Sequence, residues 1–176
     1  DIDATSHLKR TLDFDDFIQS DAKEALETLL DLCGEHPNAD RDSWLNQCLI
    51  WKSKYPVFDP DIVVAEERVN IYTFVDMLSR KSSANDVFIS DAGSAFYAVS
   101  QGIQLTKPNQ RYITSGGMAT MGYSLPAGIG VALAKESGQV FAITGDGSLQ
   151  QNIQEFQTLV GLEIPVKLFV LNNDGY

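Results

Sequence analysis

The chain has 176 residues, 44% of them hydrophobic and 21% charged, enough to bury one full core and part of a second. A formal charge of −11 opposes binding to polyanionic nucleic acid, and no apolar run approaches the length of a membrane span, so neither partner is expected. The two cysteines, Cys33 and Cys48, form no Cys-x-x-Cys spacing and predict reduced thiols in a cytoplasmic setting.

Taken in chain order, Asp1-Ile2-Asp3 begins without methionine and is read as the start of an excerpt. Asp21 to Cys33 predicts a helix, with Ala22, Ala25, Leu26, Leu29, Leu30 and Cys33 as its apolar stripe, Asp21 at the positive end of its dipole and Gly34 as its stop. A polar linker with Pro37 follows. Asp42 to Lys54 predicts a second helix carrying Trp44, Leu45, Cys48, Leu49 and Trp51, and Tyr55 to Asp61, with Pro56 and Pro60, is extended. A third helix is expected through Val69, Phe74, Val75 and Leu78, and Val87 to Tyr97 reads as strand, turn, helix. The small residues Ala127, Gly128, Gly130, Ala132 and Ala134 predict a helix lying close to a sheet, with Ser124 as its cap and Pro126 near its start. Met118 is read as a gap filler in that buried segment. The acidic residues Asp13, Asp15, Asp16, Glu24 and Glu27 are read as solvated surface, and His7 and His36, outside every motif, as surface or packing residues.

The last third carries the chemistry. Val140 to Thr144 and Val166 to Leu171 are short runs rich in β-branched and aromatic residues, as expected of buried parallel strands. Between them Leu149 to Leu162 predicts one helix, with Ile153, Phe156, Leu159 and Val160 at helical spacing and Gly161 and Pro165 to stop it. The unit is β-α-β. It places Gly145-Asp146-Gly147 and, 24 residues on, Asn172-Asn173 just past the carboxyl ends of two strands, where open α/β sheets bind ligands. Asp146 and Asn173 could supply hard side-chain oxygens to Mg2+ and the turn at Asp174-Gly175 a backbone carbonyl, with phosphate and water completing the shell. Gly145 and Gly147 would let the backbone approach a diphosphate, and the amides of Ser148 and Leu149 would face the anion. Taken singly, each motif is equally an ordinary turn.

The paired spacing resembles the signature of thiamine diphosphate (ThDP) enzymes, Gly-Asp-Gly, about two dozen residues, then Asn-Asn. Residues 111–130, with Ser115-Gly116-Gly117, Thr120-Met121-Gly122 and Leu125-Pro126-Ala127, resemble the acetolactate synthase branch. The resemblance implies a doubly wound parallel α/β sheet with helices on both faces over residues 63–176, preceded by the C-terminal end of a central α/β domain (1–35) and a linker with one helix (36–62). It implies that Met121, 25 residues before Asp146, bends ThDP so that its pyrimidine amino group meets the reactive thiazolium carbon, and that the Ala119 carbonyl holds that amino group. Ala119 stands where the family often has glycine. Gly93, Ser94 and Ala95 match positions at the far end of the diphosphate, but resemble the Gly-Thr-Ser turn of pyruvate decarboxylases more than the Gly-Gln-His of acetolactate synthases. A helix cap with no ligand is the other reading of Ser94.

From the resemblance follow ThDP and Mg2+ as cofactors, FAD as carried by some relatives but not indicated here, and a small 2-oxo acid as substrate. A homodimer or homotetramer would share the site between subunits, and the catalytic glutamate would come from a different domain, so the chain alone would bind weakly or be inactive. Carboligation of the acetolactate synthase type is the first expectation and simple 2-oxo acid decarboxylation the second. A non-catalytic regulatory module of the same fold and a nucleotide-binding Rossmann relative stand as other classes, the last without a Gly-x-Gly-x-x-Gly after any strand.

Overall fold

The computed structural model describes residues 1–5, 8, 13–35, 41–59, 61–62 and 68–173. His7, His36, Asp174 and Gly175 therefore lie outside the described residues, as do Pro37 and Pro60. The chain divides into two compact units, Asp1–Tyr55 and Pro56–Tyr176.

Among its described residues the first unit holds two α-helices, α1 (Ala22–Glu35) and α2 (Asp42–Lys54). Asp21 does more than face the dipole: its Oδ1 accepts the amide of Lys23 at 2.8 Å, which caps the first turn of α1. The apolar stripe of α1 is largely uncovered within this unit, with Leu26, Leu29 and Leu30 all more than half exposed. On α2, Trp44 and Trp51 meet edge to face with ring centroids 5.7 Å apart.

The second unit is a layered α/β domain: α3 (Ile71–Lys81), β1 (Val87–Ser90), α4 (Gly93–Gly102), β2 (Arg111–Thr114), α5 (Ser124–Ala134), β3 (Val140–Gly145), α6 (Asp146–Gln150), a 3-10 turn (Ile153–Glu155), α7 (Phe156–Gly161) and β4 (Val166–Leu171). The four strands are all parallel in the order β2-β1-β3-β4. β2 is too short to announce itself by periodicity. Because the chain leaves β1 for one neighbour and later returns to lay β3 on the other side, the sheet has its topological switch point between β1 and β3.

Alternation along the strands divides the core into two faces. Phe88, Phe141 and Ile143 meet α3 and α4 through Val75, Leu78, Ala95 and Val99, with Phe88 and Phe141 stacked at 5.4 Å. Val87, Ile89 and Val140 point the other way, onto Ala127, Val131 and Ala132 of α5. Leu125 and Ile129 of α5 meet Ile164, with Leu149 and Leu159 packed around them. Helices thus cover both faces, as the resemblance implied. Gly128 is the close approach: a Cβ there would lie 3.3 Å from Val166 Cγ1 and 3.5 Å from Ala142 Cβ. Gly130 is not, for nothing lies within 4 Å of its Cβ direction, so the packing expectation holds for one glycine and fails for the other.

Three local expectations are corrected. Val69 is exposed and precedes α3, which instead starts under a cap, Asn70 Oδ1 accepting the amides of Tyr72 and Thr73. The helix expected from Leu149 to Leu162 is broken into α6, the 3-10 turn and α7, since Asn152 leaves helical geometry (φ −135°, ψ 31°) and donates its side-chain amide to the Gly122 carbonyl at 2.8 Å. Ser124 is not the cap of α5 but its first residue; Tyr123 is the flanking position and makes no side-chain cap bond.

At the sheet's amino-terminal rim, Lys135 donates to the carbonyls of Asn85 and Gln139. Burial pulls its ammonium below the ordinary lysine value, with Asp86 opposing.

Candidate functional site

The carboxyl ends of β1, β3 and β4 form one rim. Gly145 and Leu171 are register partners across β3 and β4, so Asp146 and Asn172 leave the sheet side by side from strands about 4.8 Å apart, with Asn173 one residue further. Asp146 opens α6, and its Oδ1 accepts the Gly147 amide at 2.9 Å. Among the described residues no three His, Cys, Asp or Glu are grouped so that they could hold a metal ion by themselves. The donors leaving β3 and β4 are one carboxylate and side-chain amides, a set that suits Mg2+ only when phosphate and water supply the remaining oxygens. Gly175, the expected third donor, lies outside the described residues.

Gly145 bears on that fit. Its φ of −84° suits any residue, and a Cβ built on it meets nothing within 4 Å, so neither conformation nor packing demands glycine there. A glycine leaves this open space above the end of β3 to a ligand's approach. α6 begins at Asp146, three residues before the expected helix start at Leu149, and Ser148 is buried within it. Leu149, four residues after Gly145, is where the first intrahelical bond is due, so the amides left for an anion belong to residues before it.

At the end of β1, Gly93 has a left-handed φ of +64° and opens α4, with Ala92 as the flanking residue and no side-chain cap bond. Ser94 is therefore not a cap; it sits exposed in the first turn, its hydroxyl accessible to a ligand. Ala95 turns its methyl into the core, leaving only its main chain to serve a site.

The loop between β2 and α5 is wound around Ser115. The Ser115 carbonyl accepts the amides of Met118 and Ala119, each at 2.8 Å, and its Oγ accepts that of Thr120 at 2.9 Å. Ala119 is held at φ +50°, in the left-handed region that glycine enters more readily. Met121 is 40% exposed. Met118 is 84% exposed and fills no gap, because the loop stands off the sheet until Gly122. Gly122 has φ +80°, and a Cβ on it would lie 2.8 Å from both Asn152 Nδ2 and Gln151 Cβ and 3.1 Å from the Ser148 carbonyl. The residue after Met121 is thus pressed against the segment following Gly145-Asp146-Gly147.

Asp91, just past β1, is the residue the sequence reading missed. It is 2% exposed, and its own amide continues the ladder to the Ile143 carbonyl. Its Oδ1 accepts the amides of Ala92 (3.0 Å) and Tyr123 (3.2 Å); its Oδ2 accepts the Ser124 amide (3.3 Å), the Ser124 hydroxyl (3.0 Å) and the Thr144 hydroxyl (2.8 Å). It supplies the first turn of α5 with the acceptor that Ser124 was expected to be.

Comparison with known proteins bears on the same segments. Residues 91–176 match the family described as "Thiamine pyrophosphate enzyme, C-terminal TPP binding domain". The chain is 33% identical over 178 aligned residues to the acetolactate synthase isozyme 3 large subunit of Escherichia coli (strain K12), covering 98% of this chain and 30% of that protein. It is 32% identical over 158 residues to the isozyme 1 large subunit of the same organism (90% and 27%) and 34% identical over 178 to the acetolactate synthase large subunit of Haemophilus influenzae (98% and 30%). The chain spans about a third or less of the length of these relatives.

Proposed function

The chain belongs to the thiamine pyrophosphate enzyme family through its C-terminal cofactor-binding domain, and from that premise we propose that it supplies the diphosphate- and Mg2+-binding half of a carboligase site of the acetolactate synthase type. The observation that carries the reading is the register of Gly145 with Leu171, which sets Asp146 and the Asn172-Asn173 pair on neighbouring strand ends under an uncrowded glycine. Asp146 and Asn173 would hold the metal, with a carbonyl from Gly175. Gly93, Ser94, Gly145, Gly147, Ser148 and the main chain at Ala95 would line the diphosphate, the Leu149 amide being taken by the first turn of α6.

When bound, ThDP would supply a carbon able to add to the carbonyl of a 2-oxo acid and to carry the acyl unit after CO2 is lost. The chain's own part is to bind and orient. The side chain of Met121, on a loop fixed at both ends, is the apolar wedge of this reading, and the Ala119 carbonyl the acceptor for the pyrimidine amino group; preorganised placement of reacting groups is worth several orders of magnitude in rate. The glutamate that promotes proton loss is assigned to another domain of the whole protein, with the site shared between subunits.

A second reading, simple decarboxylation of a 2-oxo acid, draws on Gly93-Ser94-Ala95, since a hydroxyl stands exposed there in place of larger polar groups. Product analysis of the intact protein with pyruvate, alone and with added aldehydes or ketones, separates the two: acetolactate supports the first, acetaldehyde alone the second. The metal reading is tested by Asp146→Ala. It should abolish Mg2+-dependent retention of ThDP, measured by equilibrium dialysis with and without EDTA, and retention at wild-type affinity would remove the ligation.

A further inference from the structure

Asp91 lies at the switch point between β1 and β3 but is neither a metal donor nor a residue of the wedge loop in the reading above. Its two oxygens take five hydrogen bonds from three separate segments: the turn into α4, the entry to α5 two and three residues after Met121, and the end of β3 two residues before Asp146. A carboxylate has about four lone-pair sites and no donor, so this cluster of donors suits it and no neutral side chain of similar shape. Four of the five also span the distances that matter for the site, three running to the base of the Met121 loop and one to the strand that delivers Asp146.

Resting on the proposed ThDP reading, we propose that Asp91 is a positioning residue that fixes the Met121 loop relative to the Asp146 strand end. The side of the loop nearer α6 is fastened separately, by Asn152 to the Gly122 carbonyl and by the tight seat of Gly122. Asp91 is the brace on the sheet side. Without it the first-turn amides of α5 lose their acceptor, and the loop can shift while Asp146 and Asn172 keep their register through the β3–β4 ladder.

Asp91→Asn in the intact protein tests this. An amide at this position must turn its NH2 toward either the two amides at Oδ1 or the one amide and two hydroxyls at Oδ2; the second is cheaper, because hydroxyls can rotate to accept, and it orphans the Ser124 amide. Without cofactor, hydrogen exchange at the Ser124 amide should rise about tenfold, the equivalent of one lost buried hydrogen bond, with β1 and β3 amides unchanged. At saturating ThDP and Mg2+, exchange of the cofactor's C2 proton should fall by about tenfold or more, while ThDP affinity stays within about threefold. Wild-type behaviour in either exchange measurement overturns the proposal. Should Asp91→Asn not fold, Thr144→Val and Ser124→Ala, each removing one donor to Asp91, are judged by the same two measurements. Asp146→Ala run in parallel separates the failures. Loss of ThDP in Asp146→Ala beside a normal Asp91→Asn sinks only the brace; ThDP retained at wild-type affinity in Asp146→Ala sinks the metal ligation on which the reading rests, and the Ser124 amide still decides the brace.

Discussion

Gly122→Ala is the most demanding test of how the Met121 loop is held. At φ +80° an L-residue carries a left-handed penalty of about 1–2 kcal/mol. The new methyl would stand 2.8 Å from Asn152 Nδ2 and Gln151 Cβ and 3.1 Å from the Ser148 carbonyl. The Asn152 side chain can yield, but only by giving up its 2.8 Å bond to the Gly122 carbonyl, and the backbone oxygen of Ser148 cannot move without α6. Overpacking of this kind costs about 1–3 kcal/mol, so strain and crowding together predict a loss of about 2–5 kcal/mol.

The measurement is urea unfolding of the intact protein followed by far-UV circular dichroism, with C2 proton exchange of bound ThDP on the folded fraction. Gly138→Ala is the comparator. It meets the same conformational penalty (φ +82°) and a worse clash, its Cβ falling 2.3 Å from the Asn85 carbonyl oxygen, but it precedes β3 at the amino-terminal rim. Both variants should lose stability, and only Gly122→Ala should slow C2 exchange. A loss below about 1 kcal/mol in Gly122→Ala would refute the packing argument, and equal exchange in the two variants would refute the link from packing to the wedge.

Met121→Ala should leave ThDP retention nearly intact, because the residues proposed for the diphosphate are elsewhere, and slow C2 proton exchange; equal exchange rates in variant and wild type would remove the wedge assignment. Ala119 serves through its main chain in this reading, so Ala119→Gly should change stability by less than about 1 kcal/mol, the relief of left-handed strain being offset by the greater freedom of glycine in the unfolded chain. Ala119→Val should destabilise by more than about 1 kcal/mol, since a β-branched residue at φ +50° is a true outlier, and denaturant midpoints of the two variants compare them directly.

What could be read in advance was whatever depends on near neighbours. β3 and β4 are apolar runs bounded by turn residues, and their parallel pairing follows from the helical segment between them. The small residues of α5 foretold a close approach, realised at Gly128. The long helix after Gly147 was misread because apolar residues keep helical spacing straight through Asn152, and nothing local reveals that this side chain is claimed by a carbonyl 30 residues earlier. Met118 was misread for a related reason: hydrophobicity suggests burial, but winding around Ser115 turns it outward. Asp91 gave no signal at all. Its partners beyond Ala92 lie 32, 33 and 53 residues away, and an aspartate after a strand has the composition of any turn.

Strand order explains why these two kinds of residue differ. Asp146 and the Asn172-Asn173 pair issue from β3 and β4, joined by one short crossover, so their proximity is settled as soon as that single β-α-β unit forms. The loop bearing Met121 connects β2, at the far edge, to a helix on the face shared by β1 and β3, and it passes the gap where the sheet reverses its winding. No ladder of backbone bonds crosses from that loop to β3 in the way one joins β3 to β4. Side chains must make the join, and a buried carboxylate reaching both the entry of α5 and the Thr144 hydroxyl spans it from the sheet side while Asn152 and Gly122 close it from the other. The paired motif proposed to hold phosphate and metal is therefore the part least dependent on the rest of the fold, and the alignment of the proposed wedge against it is the part that long-range side-chain contacts have to provide.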